Sequence, residues 1–136
     1  MYDTELMSTG YVAGYLKVML RLEAAIVFLV AIFVYFHLGY TWKTFFVLFL
    51  FPDISFVGYI FGSKYGSIVY NVFHSYILPC ILGGLSLYNA LPELQCLSLI
   101  WIAHIGFDRT LGYGLKYSTS FNDTHLGPLK IFKKMF

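Results

Sequence analysis

The sequence predicts an all-α fold, an integral membrane four-helix bundle with its N- and C-termini cytoplasmic. Three observations carry that expectation. The chain has 136 residues, 59% hydrophobic and 12% charged, whereas a soluble domain carries about 25% charged residues. Its mean hydropathy is +0.72, which leaves too little polar surface to face water but suits lipid. Its apolar residues fall in long runs with short polar breaks. A spanning helix needs about 20 mostly apolar residues, so this length supplies about four.

The basic residues predict orientation. Lys17, Arg21, Lys64, Arg109, Lys116, Lys130, Lys133 and Lys134 fall on one side of the expected bundle, and Lys43 on the other. Basic flanks stay cytoplasmic, so the expected location is the cell inner (plasma) membrane, crossed several times. Membrane lipid is the expected partner, with a homo-oligomer left open. The net charge of +2 is too small to argue for nucleic acid. Cys80 and Cys96 sit in apolar runs without metal or redox spacing and read as buried small apolar residues.

The whole chain, 1–136, reads as one transmembrane domain. Residues 1–15, with Asp3 and Glu5, read as a short interfacial or disordered tail. The first span is expected at about 16–38. No small-x-small cleavage site follows its apolar run, which argues against a signal peptide. His37, Gly39, Tyr40 and Trp42 mark an interface. The second span is expected at about 41–61, with a kink at Pro52-Asp53. Gly62 to Gly66 read as a turn. The third span, about 67–88, carries Asn71, His74 and Ser75 early and Pro79 near its middle. The fourth, about 94–113, carries His104 and Asp108. A polar cytoplasmic tail is expected over 118–136.

The polar residues inside these spans carry the functional argument. A helix rises about 1.5 Å per residue, and this places Glu23, Asp53, His74, His104 and Asp108 at one depth in the cytoplasmic half of the bilayer. An ionised Asp at mid-membrane costs about 2.5–3.5 kcal/mol on insertion scales, so such residues face the bundle interior and pair. His104 and Asp108, four residues apart, share one helix face. Together with Asp53 and His74 they make two imidazoles and two carboxylates, a set suited to one divalent transition metal, zinc first, then manganese or iron. An open coordination position would let it activate water. The blander reading is that these groups only hydrogen-bond between helices. Glu23 has Arg21 nearby to pair with. Tyr70, Tyr113 and Tyr117 read as an aromatic belt. Asp123-Thr124-His125 reads as a polar loop. No GxSxG, phosphate loop, CxxC or Glu-x-x-His pair is present.

Arg21-Leu22-Glu23, FPDIS at 51–55, YNVFHSYILP at 70–79, and AHIGFDRTLGYGLKY followed by FNDTHLG resemble a family of small bacterial membrane proteins, domain of unknown function 4260. The resemblance covers about residues 18–127. It implies a four-span membrane protein without an assigned activity and marks Glu23, Asp53, Asn71, His74, His104, Asp108, Arg109 and Asp123 to His125. More distantly, the order Pro-Asp, His-Ser, His-x-x-x-Asp is similar to inner-membrane metal-dependent hydrolases of the zinc phospholipase C and nuclease group. The extra histidines usual there are missing, so one metal is the expectation.

Two functions follow as alternatives. In one, a metal-dependent hydrolase acts on a lipid or on a phosphate or acyl ester. Asp53, His74, His104 and Asp108 hold the metal, Glu23 is the general base, and Arg109 holds the phosphate. In the other, the protein is not an enzyme, and the same residues form a proton or ion relay or a structural network in a small partner subunit.

Overall fold

A computed structural model describes residues 10–129. Among them, α1 spans Gly14–His37, α2 Trp42–Leu48, a 3-10 helix Phe51–Phe61, α3 Ser63–His74, α4 Ile77–Tyr88 and α5 Pro92–Leu111. The described residues form no strand, only one isolated bridge between Lys116 and Thr124. The six elements make four rods. The second is α2 continued by the 3-10 helix, and the third is α3 continued by α4. Three rods, Gly14–His37, Trp42–Phe61 and Ser63–Tyr88, are long and apolar enough to cross a membrane. The fourth, α5, has 20 residues and buries more of them than the other helices do. The rods' outer surfaces are apolar, with Ile26, Phe33, Ile60 and Leu87 exposed, as lipid-facing surfaces must be.

Proline explains both broken rods. It lacks a backbone donor and clashes with the carbonyl four residues earlier. Four before Pro52 is Leu48, the last residue of α2. Four before Pro79 is Ser75, which caps α3 in an extended conformation. The expected kink at Pro52 is thus a full change of helix type, and Pro79 stands in the first turn of α4 rather than in mid-helix. Ser67 is no helix start. The expected turn over 62–66 is one residue, Gly62 at φ +101°, and α3 begins at once. Gly66 stays helical because it packs under the Tyr59 ring, where a Cβ would clash.

Small residues bring the rods together. A Cβ on Gly106 would lie 3.0 Å from the Ala24 carbonyl oxygen, so α5 crosses α1 backbone to backbone, as small residues permit in membranes. Ser98 Oγ donates to the Pro79 carbonyl at 2.7 Å and ties α5 to α4. Ala31, Tyr35, Phe45, Cys96, Ile100 and Ala103 form the apolar core. Cys80 is exposed on the outer surface rather than buried.

The segment after α5 is not a free polar tail as far as residue 129; the rest of the expected tail, like most of residues 1–15, lies outside the described residues. Gly112, left-handed at φ +97°, ends α5, with its N–H on the Arg109 carbonyl and that of Tyr113 on the Asp108 carbonyl. The chain then folds back over the bundle and buries Lys116, Thr124, Leu126 and Leu129. Asn71 on α3 holds it through both backbone groups of Lys116, at 2.8 and 2.7 Å. His125 holds it through Nδ1, which accepts the Leu115 N–H at 2.9 Å. The N-terminal residues close on the same segment. Val12 N–H donates to the His125 carbonyl, Tyr11 to Asp123 at 2.9 Å, and Tyr117 to the Gly10 carbonyl at 2.8 Å.

Candidate metal centre

The two proline breaks and the lower half of α5 supply the site. Asp53 follows Pro52 in the first turn of the 3-10 helix. His74 is the last residue of α3. His104 and Asp108 share one face of α5. One donor atom from each lies within 4.8 Å of all the others, so this buried Asp-His-His-Asp group could hold a metal ion.

The distances show what kind of contact this is. His74 Nε2 lies 3.2 Å from Asp53 Oδ1, 3.4 Å from Asp108 Oδ2 and 3.3 Å from His104 Nε2. His104 Nε2 lies 3.3 Å from Asp53 Oδ1 and 3.2 Å from Asp108 Oδ2. A charge-assisted hydrogen bond runs at about 2.7–2.9 Å and points one N–H at one acceptor. Here each nitrogen is almost equidistant from three neighbours. A tetrahedral zinc site with bonds of about 2.0–2.1 Å has edges of about 3.3–3.4 Å, close to all five separations. Five of the six separations are thus compatible with a metal ion held among the four donors.

The tautomer of His74 agrees. Its Nδ1 lies 3.0 Å from the Tyr70 carbonyl oxygen. That oxygen only accepts, so Nδ1 carries a proton and Nε2 is the nitrogen turned to the centre, the orientation a ligating histidine takes. The Tyr70 ring stacks on His74 at 3.8 Å. His104 packs edge-on against Phe49, and its buried Nδ1 has no hydrogen-bond partner among the described residues.

The break after His74 would orphan the last carbonyls of α3. Trp101 Nε1 donates to the Phe73 carbonyl at 2.7 Å. Arg109 Nη2 donates to the His74 carbonyl at 3.2 Å, and its guanidinium lies over the Tyr76 ring. Arg109 therefore secures the backbone of a ligand and makes no ion pair with Asp108.

The carboxylates face outward and the imidazoles inward. The side chain of Asp53 is 33% exposed and that of Asp108 17%, against 3% for His74 and 2% for His104. Both carboxylates open onto a cavity of about 320 Å³, bounded by Phe56, Tyr70, Tyr113, Lys116, Phe121 and Leu129. Glu23 and Arg109 do not line it. They line a neighbouring cavity of about 130 Å³ with Tyr76 and His125. So the structure brings together the four expected ligands and sets the expected base and phosphate-holding residue apart from them.

A family model described as a domain of unknown function, DUF4260, matches residues 17–129. The chain belongs to this family. No curated protein and no solved structure matches the chain. The match to DUF4260 spans all four rods and the returning segment, so the whole site lies within it.

Two residues of the cavity escaped the sequence reading. Tyr70, expected in an aromatic belt, is buried against His74. Lys116, counted only as a topological charge, is 6% exposed. Its only signal was a lysine flanked by Leu115 and Tyr117 just past the last apolar run. Burial also drives the Lys116 ammonium down to about 8, against the opposing pull of Asp108 and Asp53. Burial, together with the charge of Arg109, holds His125 below its usual value, in keeping with Nδ1 as an acceptor.

Proposed function

We propose that this protein is a metal-dependent hydrolase embedded in the cell inner membrane, acting on a phospholipid or another phosphate or acyl ester near the cytoplasmic leaflet. The observation that carries this reading is the set of five separations of 3.2–3.4 Å among Asp53, His74, His104 and Asp108. Zinc suits the mixed imidazole and carboxylate donors. When bound, it would supply acidity to a water. The chain's own residues would do the rest. Tyr70 fixes the His74 tautomer through its carbonyl. Asp53, the more exposed carboxylate, turns one oxygen to the imidazoles, and its other oxygen would serve as a proton acceptor at the cavity. Phe56, Phe121 and Leu129 limit bulk water at the cavity wall. The base and anchor roles expected of Glu23 and Arg109 gain nothing from this geometry, because both line the neighbouring cavity. The distant likeness to inner-membrane hydrolases agrees in the order of its ligands.

A second reading is a structural site, a metal or a polar network that pins the rods together without turnover. One observation favours it, since four protein donors would leave a tetrahedral metal no open position. Elemental analysis and ester turnover separate the readings. The hydrolase reading expects about one equivalent of zinc in detergent-purified protein, lost in His104→Ala, and cleavage of a phosphodiester or acyl ester that stops with it. Zinc without turnover of either ester class favours the structural reading. Less than about a tenth of an equivalent of any transition metal removes the metal from both.

A further inference from the structure

Among the described residues, the cavity beside the four expected ligands has one cationic side chain in its wall. Lys116 is 6% exposed. Its ammonium donates to the Phe121 carbonyl at 3.1 Å and sits against the rings of Phe121 at 3.1 Å, Tyr70 at 4.6 Å and Phe56 at 5.3 Å. An ammonium has three donors, and among the described residues this one has a single hydrogen-bond acceptor. Burying a cation so incompletely matched is costly, and aromatic faces return only part of that cost. Asn71 grips both backbone groups of the same residue, so the placement is held from outside rather than chosen by the ammonium.

Charge balance says what would complete it. Two carboxylates and two neutral imidazoles around a divalent cation sum to zero. Lys116 then leaves the cavity one positive charge in excess, on the side where Asp53 and Asp108 open. Phe56, Phe121 and Leu129 supply apolar walls beside that charge. At about 320 Å³ the space is at the small end for ligand sites, enough for a headgroup and the first carbons attached to it.

We propose that the cavity binds the phosphate oxyanion of a phosphate ester, with the Lys116 ammonium and the centre formed by Asp53, His74, His104 and Asp108 on either side of it. This rests on the metal reading above and replaces Arg109 by Lys116 as the anion-holding residue. The anion has two sources, a lipid headgroup or a soluble phosphate.

The experiment uses the full chain, zinc-loaded, in a neutral detergent. It is titrated with dihexanoyl phosphatidylglycerol, with phosphate-free dihexanoylglycerol and with inorganic phosphate, and zinc is measured in every sample. Lys116→Met is expected to weaken binding of the phosphate-bearing probes by about tenfold or more, and to leave dihexanoylglycerol unchanged. Lys116→Arg retains most of the binding. In the unaltered protein, the ¹⁵N signal of the Lys116 ammonium shifts on adding a phosphate-bearing probe and not on adding dihexanoylglycerol, which tests the idea even if a variant fails to fold. Tighter binding of phosphatidylglycerol assigns the anion to a lipid, and tighter binding of inorganic phosphate to a soluble ester; either supports the anion site. Zinc retained with equal phosphate affinity in Lys116→Met, or an ammonium signal that ignores phosphate, overturns it. Absence of zinc in the unaltered protein overturns the metal reading instead.

Discussion

His74 Nδ1 lies 3.0 Å from the carbonyl oxygen of Tyr70, one helical turn earlier. This contact places a proton on Nδ1 and turns Nε2 toward Asp53, His104 and Asp108. In the zinc-loaded protein the expected outcome is a His74 protonated at Nδ1 alone, visible in long-range ¹⁵N–¹H spectra of histidine-labelled protein. A proton on Nε2 would contradict a ligating role.

The four donors are expected to couple metal binding to folding. Metal that binds only the folded chain stabilises it by about 4 kcal/mol at a thousand times its Kd. Thermal unfolding in detergent should therefore rise with added zinc and fall with a chelator. Asp53→Asn and Asp108→Asn each remove a charged ligand, and each should abolish the zinc-dependent part of the shift. Glu93→Gln, in the first turn of α5 and so at the opposite end from His104 and Asp108, should retain it.

Lys116 leads to a pH prediction. In the unfolded chain it titrates at its ordinary 10.5, and in the fold at about 8. Between these values the unfolded state binds the extra proton, so the native state gains stability as pH rises from about 8 to 10.5 and loses it on the way down. At pH 7 the buried charge is present at full cost. Lys116→Met should then be more stable than the unaltered protein by about 1–2 kcal/mol at pH 7. That advantage should shrink above pH 8. Unfolding midpoints at pH 7 and pH 9.5 check it, and an advantage that grows with pH would count against the burial argument.

Gly114 is expected to admit no side chain. A Cβ there would lie 2.5 Å from His125 Nδ1, the atom that accepts the Leu115 N–H. Gly114→Ala should displace His125 and loosen the returning segment, at a cost of about 1–3 kcal/mol. Faster proteolysis after residue 112, with α1 to α5 left intact, is the readout.

Much of this was legible in the sequence, for a physical reason. Charged and imidazole groups are costly in an apolar run, so Asp53, His74, His104 and Asp108 stood out and their convergence could be anticipated from depth alone. Pro52 announced a kink, though not that a 3-10 helix would follow it, and the break before Pro79 was not anticipated. Depth misled for Glu23, because height along a helix says nothing about which side it faces. Exposed on α1, Glu23 lines the smaller cavity. Lys116 and Tyr70 were hidden because their burial depends on a segment returning over the bundle. That return is built from backbone contacts with Asn71 and His125, which leave no periodic pattern to read.

The contacts of Gly10, Tyr11 and Val12 with Tyr117, Asp123 and His125 have a consequence for parity. Two stretches that touch lie on the same side of any bilayer, so the chain between them crosses an even number of times. Three rods qualify as spans by length and apolarity, and three is odd. With all three in the membrane, the least apolar rod, α5, traverses as well, shielded from lipid by its neighbours. Reporters attached before residue 10 and after residue 129 will accordingly report the same compartment.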